Sequence, residues 1–561
     1  MPRRDLRDFS SRLDAHGIAP GSLQLRTCPS ICPALLSPPL LYPLASYLLL
    51  RLLRPRRPPL PPGPRGLPII GNLLDMPKED AWVHWLHHKD TYGDYRPFTL
   101  LNVNDPHKGP ISSLTALGRH FIIISDMQTS MELLDKRSTV YSGRPTFTFA
   151  GEMIGWDQQL IMSQYGERFR AMRLLLKGFI GSKSAIVPFQ PIQEIETRYF
   201  LARLLENPEN LIANIRLTAS ALSLQMSHGY RIETEKTDPL IDLVETAAKE
   251  FYIATYPGRW LVDAIPFLKT LPSWLPGMGF KKTAKLYREH NYAQVERPHD
   301  FVKRQLTEGI AMPSFTSTVL RREPDAETED ALKWAATAIY GGGSDPSSAV
   351  LGAFFLIMLL FPEARDKAQA EIDSVVGTHR LPTFADRENL PYVEALMKEL
   401  LRWHPVGRLC IPHRALEDDV YKGYLIPKGS IILPHMWQMS RDTTYYTDPE
   451  DFRPERYLKP QPELDPNTYM FGFGRRACPG QDFANAIVYL TIVMTLSVFD
   501  IRKAKRADGS EIEPEIKWGT GTVSHPGPFE YSISPRSPEA ISLIRTVYDE
   551  HPMLPSDGPK L

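Results

Sequence analysis

The chain has 561 residues, and its 65 Lys+Arg balance its 65 Asp+Glu. That balance excludes the positive surplus with which proteins bind nucleic acid, so no nucleic-acid partner is expected. Its 42% apolar and 23% charged residues are ordinary for a globular protein. The 4 cysteines are too few and too scattered for a disulfide framework or a zinc site: Cys28, Cys32, Cys410 and Cys478.

The first segments predict a membrane anchor behind a polar N-terminal tail, with the tail at 1–30 and the anchor at 31–53. The uncharged run ICPALLSPPLLYPLASYLLL is long enough to cross a bilayer. Arginines between 51 and 57 follow it, and positive charge beside an apolar run marks the cytoplasmic side. Prolines in the run leave a re-entrant or interfacial segment open. A secretory signal peptide is the weaker alternative, because no small-residue cleavage site is present.

A basic, proline-rich linker is predicted at 54–68, since prolines at this density form a stiff extended spacer. One domain, mainly α with a smaller β-rich region, is expected over 69–545, followed by a polar tail at 546–561. Strand patterns occur in HFIIIS, VYKGYLIPKGSIILP and FEYSISP. Helical spacing of apolar residues occurs in SMELLDKRS, RFRAMRLLLKGFI, IQEIETRYFLARLLE, PLIDLVETAAKEFYIATY, EARDKAQAEIDSVVG and YVEALMKELLRWH.

The stretch YGGGSDPSSAV, residues 340–350, interrupts a buried helical pattern with glycines, an acid and a proline. All are poor helix residues, so the stretch predicts a weakened helix. The charged run REPDAETED, residues 322–330, is predicted as a loop before this helix.

Two charged residues in KELLRWHP, Glu399 and Arg402, share one helix face at i and i+3. Alone they would form an ordinary surface pair. The later string FRPERY offers Arg456 as a third member, and a glutamate between two arginines predicts a buried hydrogen-bonded network.

The string FGFGRRACPG, residues 471–480, places Cys478 between glycine-rich backbone and a long apolar helix. Backbone N–H groups freed by glycines, and the N-terminus of the next helix, can stabilise a thiolate there. Thiolate ligation of haem iron favours O–O cleavage. A lone buried cysteine is usually inert, but this string is too particular for that interpretation.

With these motifs in this order, the sequence resembles the cytochrome P-450 family of haem-thiolate monooxygenases over residues 60–540. The resemblance implies the cytochrome P-450 fold with an N-terminal membrane anchor, and haem b as cofactor. It implies Cys478 as axial ligand of the haem iron, with Phe471 and Gly472 in the haem-binding loop. It also implies Glu399, Arg402 and Arg456 as a structural triad.

The family also supplies partners for the haem propionates. The resemblance implies Arg476 in this role, together with His413 in CIPHRAL and Arg173 in YGERFRAMR. Phe169 stands where the family's WxxxR helix has tryptophan, so the indole N–H donor is lost. For His413 the alternative is a capped or solvent-facing histidine.

The family's distal helix carries an (A/G)-G-x-(D/E)-T motif, and here Pro346 stands in the threonine position. Proline frees the carbonyl four residues back. Our hypothesis is that Asp345, with Ser347 and water, delivers protons to bound oxygen. The competing view is impaired delivery, in which reduced oxygen leaks as peroxide.

The amino-acid sequence around the motifs is similar to that of fungal members of the O-methylsterigmatocystin oxidoreductase type. The resemblance implies oxygen insertion from O2 into apolar small molecules, in secondary metabolism or in promiscuous oxidation of xenobiotics and polycyclic aromatics. Pocket walls are expected at 144–160, the glycine-containing helix, 404–410 and 519–525. Few charges lie in these segments, as an apolar pocket needs.

Electrons are expected from NADPH through a separate NADPH-cytochrome P-450 reductase, docked on the Cys478 side near Arg475. The expected location is the endoplasmic-reticulum membrane, with the catalytic domain facing the cytosol. One alternative is a haem-thiolate isomerase or dehydratase that needs no reductase, which Pro346 favours. The other is a non-catalytic haem protein, which the intact motifs disfavour.

Overall fold

The computed structural model describes residues 58–77, 80–92, 111–234, 236–256 and 258–561. The predicted polar tail, the predicted anchor and the first residues of the predicted linker lie outside this range. The described chain is mostly helical with small sheets, which confirms the predicted fold class for the body of the protein.

Helices carry most of the described chain. The longer ones are α1 (Ala81–Tyr92), α2 (Glu167–Ile180), α3 (Gln190–Glu206), α4 (Leu211–His228), α5 (Pro239–Thr255), α6 (Phe280–Thr307), α7 (Ala326–Leu360), α8 (Pro362–Val375), α9 (Pro391–Trp403), α10 (Gln481–Val498) and α11 (Pro538–Glu550).

The strands form a four-stranded sheet and two hairpin-like pairs. They are β1 (Ile111–Ala116), β2 (Arg119–Ile124), β3 (His413–Arg414), β4 (Asp419–Tyr421), β5 (Tyr424–Ile426), β6 (Ile431–Pro434), β7 (Phe499–Arg502) and β8 (Ser532–Pro535). The larger sheet has the order β1-β2-β6-β3, while β4 pairs with β5 and β7 with β8. In that sheet β2 and β6 are parallel, and His413 of β3 lies opposite Ile432 of β6.

The central helix α7 continues through the glycines and Pro346. It begins at Ala326, inside the stretch predicted as a charged loop, because the Asp325 carboxylate caps it and accepts the Thr328 N–H at 2.8 Å. Burial of its flanks, such as Ala335 and Phe354 at 0% exposure, offsets the poor helix residues. Among the described residues, α7 and α10 are long and apolar enough to cross a membrane, but both are core helices, each with 72% of its apolar window buried.

Two long helices, α4 and α6, were not predicted from the sequence. Almost every residue of α4 is buried, so its apolar residues show no one-sided spacing. The 28-residue α6 is polar and contains Pro298, which a sequence pattern treats as a helix break.

The C-terminal end of the chain packs on the domain. Residue 546, where the polar tail was predicted to begin, lies inside α11, and Arg198 of α3 donates to Glu550 at 2.7 Å. Beyond α11, the Asp557 carboxylate is 2% exposed and accepts hydrogen bonds from the Arg231 backbone and guanidinium at 3.1 Å. The tail therefore braces the connection between α4 and α5.

Replacing Asp557 by asparagine is expected to lower the free energy of unfolding by about 1.5–3 kcal/mol, the range for a hydrogen bond to a charged group. Burial would raise the pKa of the Asp557 carboxyl, but its bonds to Arg231 and Lys560 hold that pKa below its ordinary 3.8. The contribution is thus complete above pH 3.8 and is lost as pH falls through the lowered pKa. Urea unfolding should show the same loss at pH 7 and pH 5; the exposed control Asp549→Asn should show none.

Candidate active site

A tight loop presents Cys478. Its glycines have positive φ, +82° at Gly472 and +52° at Gly474. A β-carbon at Gly474 would lie 2.4 Å from the Leu134 carbonyl oxygen, so only glycine lets the loop pack there. The loop closes where the Cys478 N–H donates to the Phe471 carbonyl at 2.7 Å. Cys478 is exposed, beside a cleft of about 590 Å³ that also borders Arg173 and Arg475.

Opposing effects act on the Cys478 thiol. Although the residue is exposed at the cleft, the protein atoms packed around the sulfur desolvate it and raise the pKa of the thiol. The Gly480 backbone N–H and the Arg173 guanidinium lower that pKa, and the net shift is upward. A thiolate here therefore needs further positive charge, which a bound metal ion supplies because a coordinating thiol is deprotonated outright.

Four basic side chains gather on one side of the loop. Arg476 donates to the carbonyls of Ser142 at 2.8 Å and Ser163 at 2.7 Å, and its guanidinium lies 4.0 Å over the Phe169 ring. Arg173 donates to the Ala477 carbonyl at 2.7 Å.

The other two basic groups come from paired backbone segments. Gly143 exchanges backbone hydrogen bonds of 2.9 and 3.2 Å with Arg414 of β3, which brings Arg144 beside His413. Arg144 donates to the carbonyls of Ile411 and Pro412 at 2.8 Å. His413 is 1% exposed, and its Nδ1 lies 2.8 Å from the Tyr141 carbonyl.

Burial lowers the pKa of each of these four basic groups, and among the described residues none of them is bonded to a carboxylate. Burial, then Arg144 and Arg173, lowers the pKa of Arg476 to about 9, and burial lowers that of Arg144 to about 10. Burial, Arg144 and Arg476 also lower the pKa of His413. A buried surplus of positive charge beside an accessible thiol fits a haem, whose propionates are anions and whose iron binds thiolate.

Arg144 was missed by the sequence analysis. It stands in SGRPT, where no spacing pattern links it to the cysteine loop. Its role depends on the pairing of Gly143 with β3, which is a tertiary contact.

The structure brings Glu399, Arg402 and Arg456 together, each at 1% exposure or less. Arg402 holds the Glu399 carboxylate with two bonds of 2.8 Å, and the Arg456 Nε donates at 3.0 Å. The Arg453 backbone N–H adds a bond of 2.8 Å. Arg402 also donates to the Pro449 carbonyl at 2.7 Å, so this cluster ties α9 to the chain that leads to the cysteine loop.

On α7 the glycines have two environments. A β-carbon at Gly341 or Gly342 would meet no heavy atom of the described residues within 4 Å beyond the helix itself. At Gly343 it would lie 2.7 Å from the Ser223 hydroxyl of α4. One side of α7 therefore borders open space, and the other packs tightly on α4.

The structure does not bring Asp345 and Ser347 together. Asp345 accepts from the His525 Nε2 at 2.9 Å and from the Tyr252 hydroxyl at 3.2 Å. Ser347 is buried and, within the described part of the chain, makes no hydrogen bond with Asp345. Residues i and i+2 of a helix do not face each other. The hypothesis that Asp345 acts with Ser347 and water stays a prediction.

Two of the expected pocket walls, the 404–410 and 519–525 segments, contact each other near Asp345. His404 lies 2.9 Å from the Ser524 carbonyl through its Nε2 and stacks on Trp518 with ring centroids 3.9 Å apart. Burial, with a smaller effect from the nearby Arg408, lowers the pKa of His404 to about 3, so this imidazole is neutral. The 404–410 and 519–525 segments are therefore in contact.

Comparison with known proteins agrees with this geometry. The sequence model of the cytochrome P450 family matches residues 61–533. The cytochrome P450 monooxygenase claR of Ampulloclitocybe clavipes is 54% identical over 521 residues, covering 92% of this chain and 93% of that protein. The multifunctional cytochrome P450 monooxygenase af510 of Aspergillus fumigatus is 39% identical over 500 residues, covering 87% and 90%.

The O-methylsterigmatocystin oxidoreductase of Aspergillus flavus is 36% identical over 525 residues, covering 92% of this chain and 95% of that protein. The predicted resemblance, including its fungal type, is confirmed. The chain belongs to the cytochrome P450 family.

Proposed function

We propose that this cytochrome P450 is a haem-thiolate monooxygenase that inserts one oxygen atom of O2 into apolar small molecules. The observation that carries the proposal is the accessible Cys478 beside a buried surplus of basic groups. Bound haem supplies O2 activation once it receives electrons. Cys478 would be its axial ligand; Arg476, His413, Arg173 and Arg144 would hold the propionates. Phe471 and Gly472 shape the loop that places the sulfur.

The protein's own part in the reaction is to exclude water, orient the substrate and supply protons. Asp345 is the proposed proton donor, and the hydroxyl of Ser347 remains a predicted helper. The expected pocket segment 144–160 makes aromatic contacts: the ring centroids of Phe149 and Trp260 are 3.7 Å apart, and those of Trp156 and Phe251 are 4.4 Å apart. An apolar segment of this kind supports an apolar substrate. One relative is named for O-methylsterigmatocystin and another is named multifunctional, which supports a role in fungal secondary metabolism or in oxidation of several substrates.

The cleft beside Cys478 is the proposed docking surface for an NADPH-dependent reductase. Its rim includes Arg170, Lys177 and Arg475, and Leu174 stands 72% exposed among them. An apolar side chain surrounded by cations suits a partner with an acidic surface.

The double variant Arg170→Glu with Lys177→Glu is expected to lower the rate of electron delivery from the reductase roughly tenfold, because the reversed charges repel an acidic partner. Raising the ionic strength should shrink the difference from wild type. Stopped-flow reduction of the haem measures the rate of electron delivery in each variant. The matched control, Lys282→Glu with Lys285→Glu, changes exposed lysines of α6 and should leave the rate unchanged; an equal loss there would argue against this docking surface.

An exposed apolar patch supports location on a membrane. Arg119 donates to the Asp263 carbonyl at 2.9 Å, which joins the β1–β2 hairpin to the segment after α5. A third segment, 67–75, joins the hairpin through the pairing of Gly71 with Ala116. Large apolar side chains are exposed along the three segments: Ile69 95%, Leu74 76%, Leu117 49%, Leu261 63%, Phe267 67% and Trp274 79%. Apolar exposure of this extent marks a protein or membrane contact. We place the catalytic domain on the cytosolic face of the endoplasmic reticulum.

The test is expression with a reductase in microsomes, with a panel of terpenes, steroids and polycyclic aromatics. Product that gains one oxygen atom in proportion to NADPH consumed would support the monooxygenase. Product formed without NADPH would favour a haem-thiolate isomerase or dehydratase instead, for which Pro346 in the threonine position is the supporting observation.

A further inference from the structure

The Asp345 carboxylate is held by two side chains from distant parts of the chain. Tyr252, in the last turn of α5, donates its hydroxyl to Oδ2 at 3.2 Å. His525, in the loop before β8, bonds Oδ1 through Nε2 at 2.9 Å. Both carboxylate oxygens are therefore engaged, and Asp345 links α7 to α5 and to the C-terminal loop.

The loop that carries His525 is fixed against α7. The Gly519 N–H donates to the His525 carbonyl at 2.8 Å, which closes the loop on itself. The next residue, Pro526, lies so close to Gly352 that a β-carbon there would be 3.1 Å from the proline ring. His525 is thus presented to Asp345 by a packed segment.

Two hydroxyl groups near Pro346, those of Ser344 and Ser348, have other partners. Ser344 shares a 2.7 Å hydrogen bond with Ser220 of α4, and Ser348 donates to the Ser344 carbonyl at 2.8 Å. Proline itself has no donor. Among the described residues, the side chains that touch the Asp345 carboxylate are therefore Tyr252 and His525.

We propose that His525 supplies protons to Asp345 from solvent and that Tyr252 and His525 together position its carboxylate, in place of the alcohol that Pro346 removes. This rests on the proposed monooxygenase function. His525 can reach water, because its side chain is 24% exposed. The imidazolium form of His525 gives its Nε2 proton to Asp345 Oδ1 and is left as a neutral imidazole with its proton on Nδ1. A hydronium ion from solvent then protonates Nε2 again, which restores the imidazolium before the next transfer.

The charges around the pair suit this transfer. Burial raises the pKa of the Asp345 carboxyl. His525, Tyr252 and Arg216 lower this pKa by more than burial raises it, so Asp345 is an anion able to accept the proton. The surrounding groups that bear charge or titrate are Arg216 on α4 and His404 after α9.

Hydrogen exchange of the substrate-free holoenzyme tests the positioning without turnover. His525→Ala and Tyr252→Phe are each expected to raise exchange about threefold in segments 249–256 and 519–527, because their packing against α7 loosens. His525→Gln, whose amide can still donate to Oδ1, should stay close to wild type, as should His379→Gln at an exposed site. Unchanged exchange in His525→Ala would overturn the positioning role.

Coupled turnover tests the proton role. In His525→Gln we expect the product formed per NADPH to fall roughly tenfold or more, with the remaining reducing equivalents released as peroxide. The solvent deuterium isotope effect on turnover should be larger than in the wild type. If His525→Gln has the same product yield per NADPH and the same isotope effect as the wild type, the proposed proton role of His525 is overturned. If wild type itself makes no NADPH-dependent product, the proposed function fails, while the exchange measurement still decides the positioning.

Discussion

Replacing Cys478 by alanine is expected to abolish oxygenation, with a loss of at least about 100-fold. Removing a residue that hydrogen-bonds to a metal ligand already lowers metal affinity or activity about 10–100-fold, so removing the ligand itself should lower activity more. The sulfur is presented by a loop that glycine geometry holds in place, and the buried basic groups would still attract the propionates. We therefore expect Cys478→Ala to fold and to bind some haem, but without the spectrum of a thiolate-ligated iron.

The matched control is Cys410→Ser, the other cysteine within the described residues. Cys410 is near Arg144 and burial raises its thiol pKa, so it stays neutral. Its removal should leave haem content and the thiolate spectrum intact. Retention of that spectrum in Cys478→Ala, or its loss in Cys410→Ser, would contradict the assignment of the ligand.

Sequence patterns predicted the parts of the site that are local in the chain. The cysteine loop is a ten-residue string, and Glu399 with Arg402 is a pair at i and i+3, so both are visible in the sequence. The role of each was implied by the family resemblance. Helices with a one-sided apolar stripe, such as α9, were predicted from the spacing of their apolar residues.

Long-range partnerships could not be predicted in this way. Tyr252 and His525 lie 93 and 180 residues from Asp345, and nothing near either residue marks the contact. Arg144 becomes a neighbour of His413 only after Gly143 pairs with β3. The hypothesis that Asp345 acts with Ser347 and water rests on closeness in sequence and stays a prediction.

Replacing Glu399 by glutamine is expected to lower the free energy of unfolding by about 3–5 kcal/mol, because the buried Arg402 guanidinium loses its counter-charge and Arg456 keeps only its pair with Glu463. Glutamine has nearly the same shape but offers one acceptor oxygen and brings an N–H donor toward Arg402 and Arg456. Total stability of a domain is about 5–15 kcal/mol, so much of it would be lost. Haem content should fall as well, since Arg402 and Arg456 anchor the chain before the cysteine loop.

The same substitution on the same helix provides the control. Glu394 of α9 pairs with Arg387 at 2.5 Å, but both side chains are about 30% exposed, 32% and 29%. Solvent screens that pair, so Glu394→Gln should cost about 1 kcal/mol or less. Urea unfolding of the holoenzyme, with haem content of the purified protein, measures both variants. A Glu399→Gln protein no less stable than Glu394→Gln would show that the buried cluster does not hold the fold around the site. The expected large difference in stability between the two variants would mean that the charge cluster of Glu399, Arg402 and Arg456 stabilises the fold because it is buried.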